Sequence, residues 1–246
     1  MPPSFSPIPT LARITRRLQA RHPQRPLKGL TRLANTLDRW LPAYAGPVRF
    51  PDGTRMHLDS RNPAERWLIF SGDYQPALTH LLSQHTPRGG YALDVGANLG
   101  FYTLKFAQWT GPDGRVAAFE ANPALAQRLE EQVTLNDFAH VAVVAQPVHS
   151  QAETLTFYIS ASPGKSSIHS AHVAAPTETL TLQAITLDAY LHQHDWPRLD
   201  VVKMDIEGND CNALLGARET LARFRPVIVF EYWFSTPDTI TQQVFD

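Results

Sequence analysis

Residues 93–103 read LDVGANLGFYT, an apolar start, an acid, two glycines four apart around Ala97, Asn98 and Leu99, and then an apolar, aromatic run. A strand that ends in glycine and leads into a helix is a nucleotide-binding junction. Glycine lets the backbone turn sharply and approach a ligand, and the first turn of the helix offers free N–H groups. The dinucleotide fingerprint G-x-G-x-x-G is broken here, because Asn98 stands where its middle glycine belongs and Asp94 lies inside the strand. An acid two residues before the first glycine repels a pyrophosphate and suits a cation. S-adenosylmethionine carries a sulfonium and an ammonium and no phosphate. Its ribose diol needs an acceptor, and Glu120, about 20 residues past the glycines at the end of the next strand, fits that need. An NAD site stays open at this point, since Glu120 would serve its ribose equally.

Outward from this junction, apolar runs alternate with helical stretches. YALDVG (91–96), GRVAAFEAN (114–122), VAVVAQPV (141–148), VVKMDIE (201–207) and PVIVFEYW (226–233) read as strands separated by helices, which predicts a doubly wound, mainly parallel α/β sheet of Rossmann type. Ligands of such sheets sit at the carboxyl ends of the strands. Two alternating segments, ETLTFYIS (153–160) and ETLTLQAITL (178–187), predict an inserted antiparallel pair around the loop GKSSIHSAH. Before the sheet, VRFPDGTRMHLDS (48–60) predicts a hairpin turning at Asp52-Gly53, and PALTHLLSQH (76–85) a helix. Residues 1–45 form a basic, amphipathic helical segment, 46–90 a hairpin and helix leading in, and 91–246 the cofactor-binding domain.

Charge is divided unevenly. Residues 1–40 hold Arg13, Arg16, Arg17, Arg21, Arg25, Lys28, Arg32 and Arg39 against Asp38, which leaves 14 basic and 22 acidic residues for the remainder, while the whole chain of 246 residues has net charge −1. That total carries no polyanion-binding signature, so no nucleic-acid partner is expected. Leucines and isoleucines at three- and four-residue steps (Leu11, Ile14, Leu18, then Leu27, Leu30, Leu33, Leu37 and Leu41) predict two short helices, packed on the domain or on a partner. No apolar stretch approaches the roughly 18 residues of a transmembrane span. A single cysteine, Cys211, excludes a disulfide framework and fits a reducing, cytoplasmic setting.

ALDVGANLGFYTLKFA, GRVAAFEANP, LTLQAITLDAYL and DVVKMDIEGND with LLGARETLARFRPVIVFE follow one another in an order and spacing that resembles the FkbM-type methyltransferases, over about Tyr74 to Glu231. The resemblance implies a class I methyltransferase fold and S-adenosylmethionine as cofactor. It implies O-methylation of a hydroxyl on a sugar or small metabolite, with a small-molecule or glycan acceptor. It assigns Asp94, Gly96, Asn98 and Gly100 to the methionine end of the cofactor, Thr103 to the supporting helix, and Glu120 with Asn122 to the ribose. Three departures stand out: Gln75 where the family's YEP has an acid, Ala121 in FEANP, and only 15 residues after Glu231. The last leaves no room for the closing strands of a seven-stranded sheet, so those strands are expected to be missing. A catalytically inactive interaction protein, meeting a partner or a second copy through the N-terminal helices or the fifth-strand edge, is the alternative function.

Lys203, Asp205 and Glu207 share one face while their strand persists, at the edge where an acceptor meets the methyl group. Asp205 is the expected proton acceptor and Lys203 its tuner, with Glu207 and Glu231 shaping the acceptor pocket. In the loop, Ser167 resembles a pocket-lining serine of the family, and His169 is the imidazole whose ordinary pKa suits a general base. His169-x-x-His172 and His192-x-His194-Asp195 supply too few ligands for zinc, and no metal is expected.

Overall fold

A computed structural model describes residues 8–19, 29, 36, 42–160, 166–173, 175–232 and 238–245. The second N-terminal helix, expected over Leu27–Leu41, falls outside the described residues for most of its length. The chain forms two compact units, residues 1–84 and 85–246.

In the first unit, helix α1 (Ile8–Gln19) buries Ile8, Ala12, Thr15 and Arg16 and exposes Arg13, Ile14 and Arg17. Strands β1 (Ala45–Arg49) and β2 (Arg55–Asp59) pair antiparallel with Val48 opposite Met56. Asp52 closes their turn by accepting from the Thr54 amide (3.0 Å) and hydroxyl (2.7 Å). Helix α2 (Pro63–Ser71) is an addition to the sequence reading. Its signal was present in Asn62-Pro63, since the Asn62 side chain caps the Ala64 and Glu65 amides and proline suits the first helical position. The α1 side chains close its other end: the Thr15 hydroxyl donates to Phe70 O and the Arg16 guanidinium to Ile69 O, both at 2.7 Å. Helix α3 (Pro76–His85) has the expected bounds.

The second unit is built on five parallel strands in the order β5-β4-β3-β8-β9: β3 (Tyr91–Val95), β4 (Arg115–Phe119), β5 (Val141–Val144), β8 (Val201–Met204) and β9 (Val227–Phe230). Helices α4 (Phe101–Thr110), α5 (Pro123–Leu135), α6 (Leu187–Gln193), α7 (Asp210–Leu215) and α8 (Arg218–Phe224) connect and cover them. Both faces of the central strands are buried, which is why they read as continuous apolar runs. Leu93, Val95, Phe119, Val202 and Met204 pack toward Leu187, Tyr190, Trp196 and Leu214. Ala118 and Ala97 face Leu129 on the opposite side. Beginning at β3, the chain winds outward through β4 and β5 and returns to β8 on the other flank, so the strand order reverses between β3 and β8.

Strands β6 (Thr154–Ser160) and β7 (Pro176–Gln183) form the inserted antiparallel pair. β7 stops at Gln183 because Thr186 caps α6, its hydroxyl accepting from the Ala189 amide at 3.1 Å. Among the described residues no strand follows β9. Helix α9 (Asp238–Phe245) comes last, and Arg218 donates to Gln243 O at 2.9 Å.

Candidate active site

The loop after β3 is shaped by contacts within the protein. Gly96 (φ 77) sits where the amides of residues 96 and 97 both reach Phe119 O at 2.9 Å, and a Cβ on it would lie 1.9 Å from Asp205 O. A Cβ on Gly100 (φ 87) would lie 2.2 Å from the Leu129 side chain of α5. The space that these glycines leave is therefore occupied by the β8 exit and by α5, not by a ligand as the sequence reading expects. Gly96 and Asn98 line a cleft, whereas Gly100 does not. Asn98 itself holds φ 52, a left-handed conformation that asparagine tolerates better than most residues.

Asp94 and Lys203 are register partners across the parallel β3–β8 pair, so both side chains lie on the same face. Asp94 is 0% exposed. Its Oδ2 accepts from the Thr103 hydroxyl at 2.6 Å, while Oδ1 lies 3.6 Å from Lys203 Nζ and has no hydrogen-bond partner among the described residues. Lys203 also reaches Gly96 O (3.3 Å), stands 3.8 Å from Asp205 Oδ2 and sits 5.5 Å above the Tyr102 ring. Neither Asp94 nor Lys203 lines the cleft. Together with Thr103 they make a charged layer under the glycine loop that ties β3 to β8 and α4. Thr103→Val should cost about 2 kcal/mol in a urea unfolding experiment, because a hydrogen bond to a buried carboxylate is lost. An unchanged midpoint would refute that role.

Glu120 follows β4 and is buried. Its two oxygens accept from the backbone amides of Asn98 (2.7 Å) and Asn122 (2.8 Å). Burial pushes its carboxyl above the usual range, and the two amides and the Lys203 charge oppose that rise. Each oxygen retains a lone pair, and Glu120 lines the cleft, so the carboxylate can accept from a ribose diol. Asn122 serves the helix, its side chain capping the Ala124 amide at 3.0 Å, and is not among the cleft-lining residues.

The acceptor side differs from the expectation of one continuous strand face. β8 ends at Met204, and Glu207 has φ 54 in a turn with Gly208, so Lys203, Asp205 and Glu207 do not alternate along one strand. Asp205 projects into the cleft with its side chain 48% exposed, and Glu207 also lines it. Ser167 is pinned by exchanging backbone hydrogen bonds with Tyr158, and its hydroxyl donates to Glu207 O at 3.1 Å. The cleft-facing neighbours are Ser166 and Ile168. His169 stands outside the cleft lining, with its ring centroid 5.1 Å from that of His172. Burial, then the His172 and His149 charges, push it below the ordinary histidine range. Glu231 is exposed and away from the cleft. Lys165 lies outside the described residues. Among the described residues no three His, Cys, Asp or Glu side chains group as a metal site.

Asp210 was missed by sequence reasoning, although the charged sequence DIEGND placed it five residues after Asp205. It is buried at the start of α7 and accepts from the amides of Ile206 (3.4 Å) and Glu231 (3.3 Å), joining the exits of β8 and β9. Burial and the charge of Asp205 push its carboxyl up to about 6. A carboxyl raised in the folded state contributes stability that is complete below the unfolded pKa, near 4, and is lost as pH rises through the folded one. Asp210→Asn does not titrate. Its stability relative to the parent should therefore improve by up to about 3 kcal/mol between pH 4 and 7, and parallel pH–stability curves would contradict the assignment.

The cleft, with about 620 Å³ of non-atom space including open solvent, lies at the carboxyl ends of β3, β4 and β8, where the strand order reverses. Glu120, Asp205 and Glu207 supply its charge, Phe119, Leu125, Val148, Phe157, Ile168 and Ile206 its apolar walls, and among the described residues no Lys, Arg or His lines it. Such a lining offers nothing to neutralise a pyrophosphate. It fits a molecule that joins a flat heterocycle to a cationic tail.

Residues 94–244 match the family model of the methyltransferase FkbM domain. The chain is 24% identical over 208 residues to the hexuronic acid methyltransferase AglP of Haloferax volcanii, covering 82% of this chain and 83% of that protein. It is 33% identical over 84 residues to a protein-L-isoaspartate O-methyltransferase of Triticum aestivum, covering 34% of this chain and 36% of that one. Among solved structures, a methyltransferase FkbM from Methylobacillus flagellatus superposes with a TM-score of 0.44 at 14% identity, over 74% of this chain and 46% of that one. The chain thus spans less than half the length of that solved structure. The family match covers more than half of the chain, and the chain belongs to the FkbM methyltransferases, which use S-adenosylmethionine.

Proposed function

We propose that this protein methylates a hydroxyl oxygen of a sugar or a similarly hydroxylated small molecule, with Asp205 receiving the proton. The observation that carries the reading is the exposed Asp205 carboxylate at the mouth of a cleft that Glu120 and Glu207 also line. A hydroxyl needs a base as its oxygen attacks, and a carboxylate within reach supplies one. An acceptor that is itself a carboxylate would be repelled by Asp205 and Glu207. The similarity to a hexuronic acid methyltransferase supports a saccharide acceptor.

S-adenosylmethionine supplies an electrophilic methyl group on a sulfonium. With the methyl passing to the acceptor oxygen and the C–S electron pair left on sulfur, the hydroxyl proton would go to an Asp205 oxygen. Positive charge disappears at sulfur as the proton is released, so no oxyanion hole is required. What the protein contributes is alignment and the base. Glu120 would hold the ribose, Gly96 and Asn98, which line the cleft, would border the methionine end, and Lys203 would fix Asp205 from below.

Incubation with methyl-labelled S-adenosylmethionine and a panel of neutral and acidic saccharides tests this. The expected label survives mild alkali, as an ether does. Label released by alkali would mark a carboxyl ester and overturn the hydroxyl reading, and no labelled saccharide would overturn the acceptor class.

A further inference from the structure

We propose that the N-terminal unit carries a second binding site, an arginine-lined pocket for a compact oxyanion, a carboxylate or a phosphate. The inference concerns this unit alone and stands or fails separately from the methyl-transfer reading.

Four arginines line the pocket. Arg13, Arg16 and Arg17 come from α1 and Arg49 from the end of β1, around a concavity with about 1220 Å³ of empty space whose floor and rim include Pro47, Val48, Pro51 and Ile69. Among the described residues no acidic one lines it. Arg13, Arg17 and Arg49 are exposed and make no ion pair among the described residues. Arg16 is different. It is only 8% exposed, packs over the Phe50 ring at 5.9 Å and donates through Nη1 to Ile69 O, while its other N–H groups make no hydrogen bond among the described residues. Burying a cation without a countercharge is costly. Burial indeed pushes Arg16 below the ordinary arginine range, with Tyr44 opposing and Arg13 adding to that shift. An oxyanion in the pocket would accept from the remaining N–H groups and relieve the repulsion among the four cations, and the planar guanidinium fork matches carboxylate and phosphate geometry.

The occupant is compact and polar, for two reasons. Helix α1 has already committed Ile8 and Ala12 to the protein interior, so it has no broad apolar face to embed in a lipid surface. The arginines also converge on a concavity rather than forming a stripe, and the chain as a whole has net charge −1, which disfavours a long polyanion such as a nucleic acid.

Calorimetry on the full chain tests the site with trigalacturonate, glucose 1-phosphate and neutral maltotriose as probes. One or both charged probes should bind and maltotriose should not, and the tighter of the two charged probes identifies carboxylate or phosphate as the source. The combined variant Arg13→Gln, Arg17→Gln, Arg49→Gln should weaken that binding at least about tenfold with an unchanged thermal midpoint. The single variants Arg17→Gln and Arg49→Gln should each weaken it in part, which keeps the test usable if the combined variant misfolds. The proposal is overturned if neither charged probe binds, if maltotriose binds equally well, or if the arginine variants bind like the parent. It is also overturned if anionic vesicles or duplex DNA bind the parent more than tenfold tighter than either charged probe.

Discussion

Gly96→Ala should abolish cofactor binding and lower the thermal midpoint by roughly 6–12 °C, the equivalent of about 3 kcal/mol in a chain of this size. Two costs add at this position. Alanine at φ 77 is strained, and its Cβ would press into a backbone oxygen 1.9 Å away, that of Asp205. Neither atom can move freely, because the Asp205 amide donates to Val95 O at 2.9 Å and the residue 96 amide to Phe119 O. The clash therefore forces the β8 exit away from β3 and carries Asp205 with it. Gly89 is the control. It has φ 69 with no atom within 4 Å of its Cβ position, so Gly89→Ala should cost about 1 kcal/mol and leave binding intact. Equal losses for the two variants would show that backbone strain, rather than the contact with Asp205, governs the loop.

Asp205→Asn should reduce turnover by about two to three orders of magnitude, within the range for loss of a general base, and leave affinity for S-adenosylhomocysteine nearly unchanged. The side chain is exposed and makes no hydrogen bond that supports the fold, so the variant should melt like the parent. The chemical step alone should suffer. If turnover stayed within a factor of about three, the proton would have to leave by another route, and Glu207 would be the next carboxylate of the cleft to substitute.

The five strands of the main sheet were legible because burial on both faces leaves a plain apolar run in the sequence, and Gly96, Gly100 and Glu120 mark where the first two strands end. Asp94 was legible as an acid inside a strand, but its partner was not. Only the β3–β8 register brings Lys203 beside it, and that pairing spans more than 100 residues of chain. Asp205 was placed correctly at a strand's end, whereas the shared face with Glu207 failed because β8 stops at Met204 and the chain turns through a left-handed residue. Ser167 is one residue out of phase with the cleft lining, and His169 stands outside that lining. The bridge between Tyr158 and Ser167 turns Ser166 and Ile168 toward the cleft, and no local pattern in GKSSIHSAH encodes that bridge. Asp210 was overlooked for a related reason. Its importance comes from receiving the amides of Ile206, after β8, and of Glu231, after β9, and the second contact spans 21 residues that the hexapeptide DIEGND does not reveal. The arginine pocket was visible only as an excess of positive charge over residues 1–40, because Arg49, its fourth member, lies on a strand beyond that segment.

A cleft lined by Glu120, Asp205 and Glu207, and by no cation among the described residues, should distinguish a sulfonium cofactor from a dinucleotide. Parallel calorimetric titrations of the full chain with S-adenosylmethionine, S-adenosylhomocysteine and NAD measure that distinction directly. Binding of the first two at one site per chain, with no heat from NAD, is the expected result. NAD binding in the absence of the other two would contradict it.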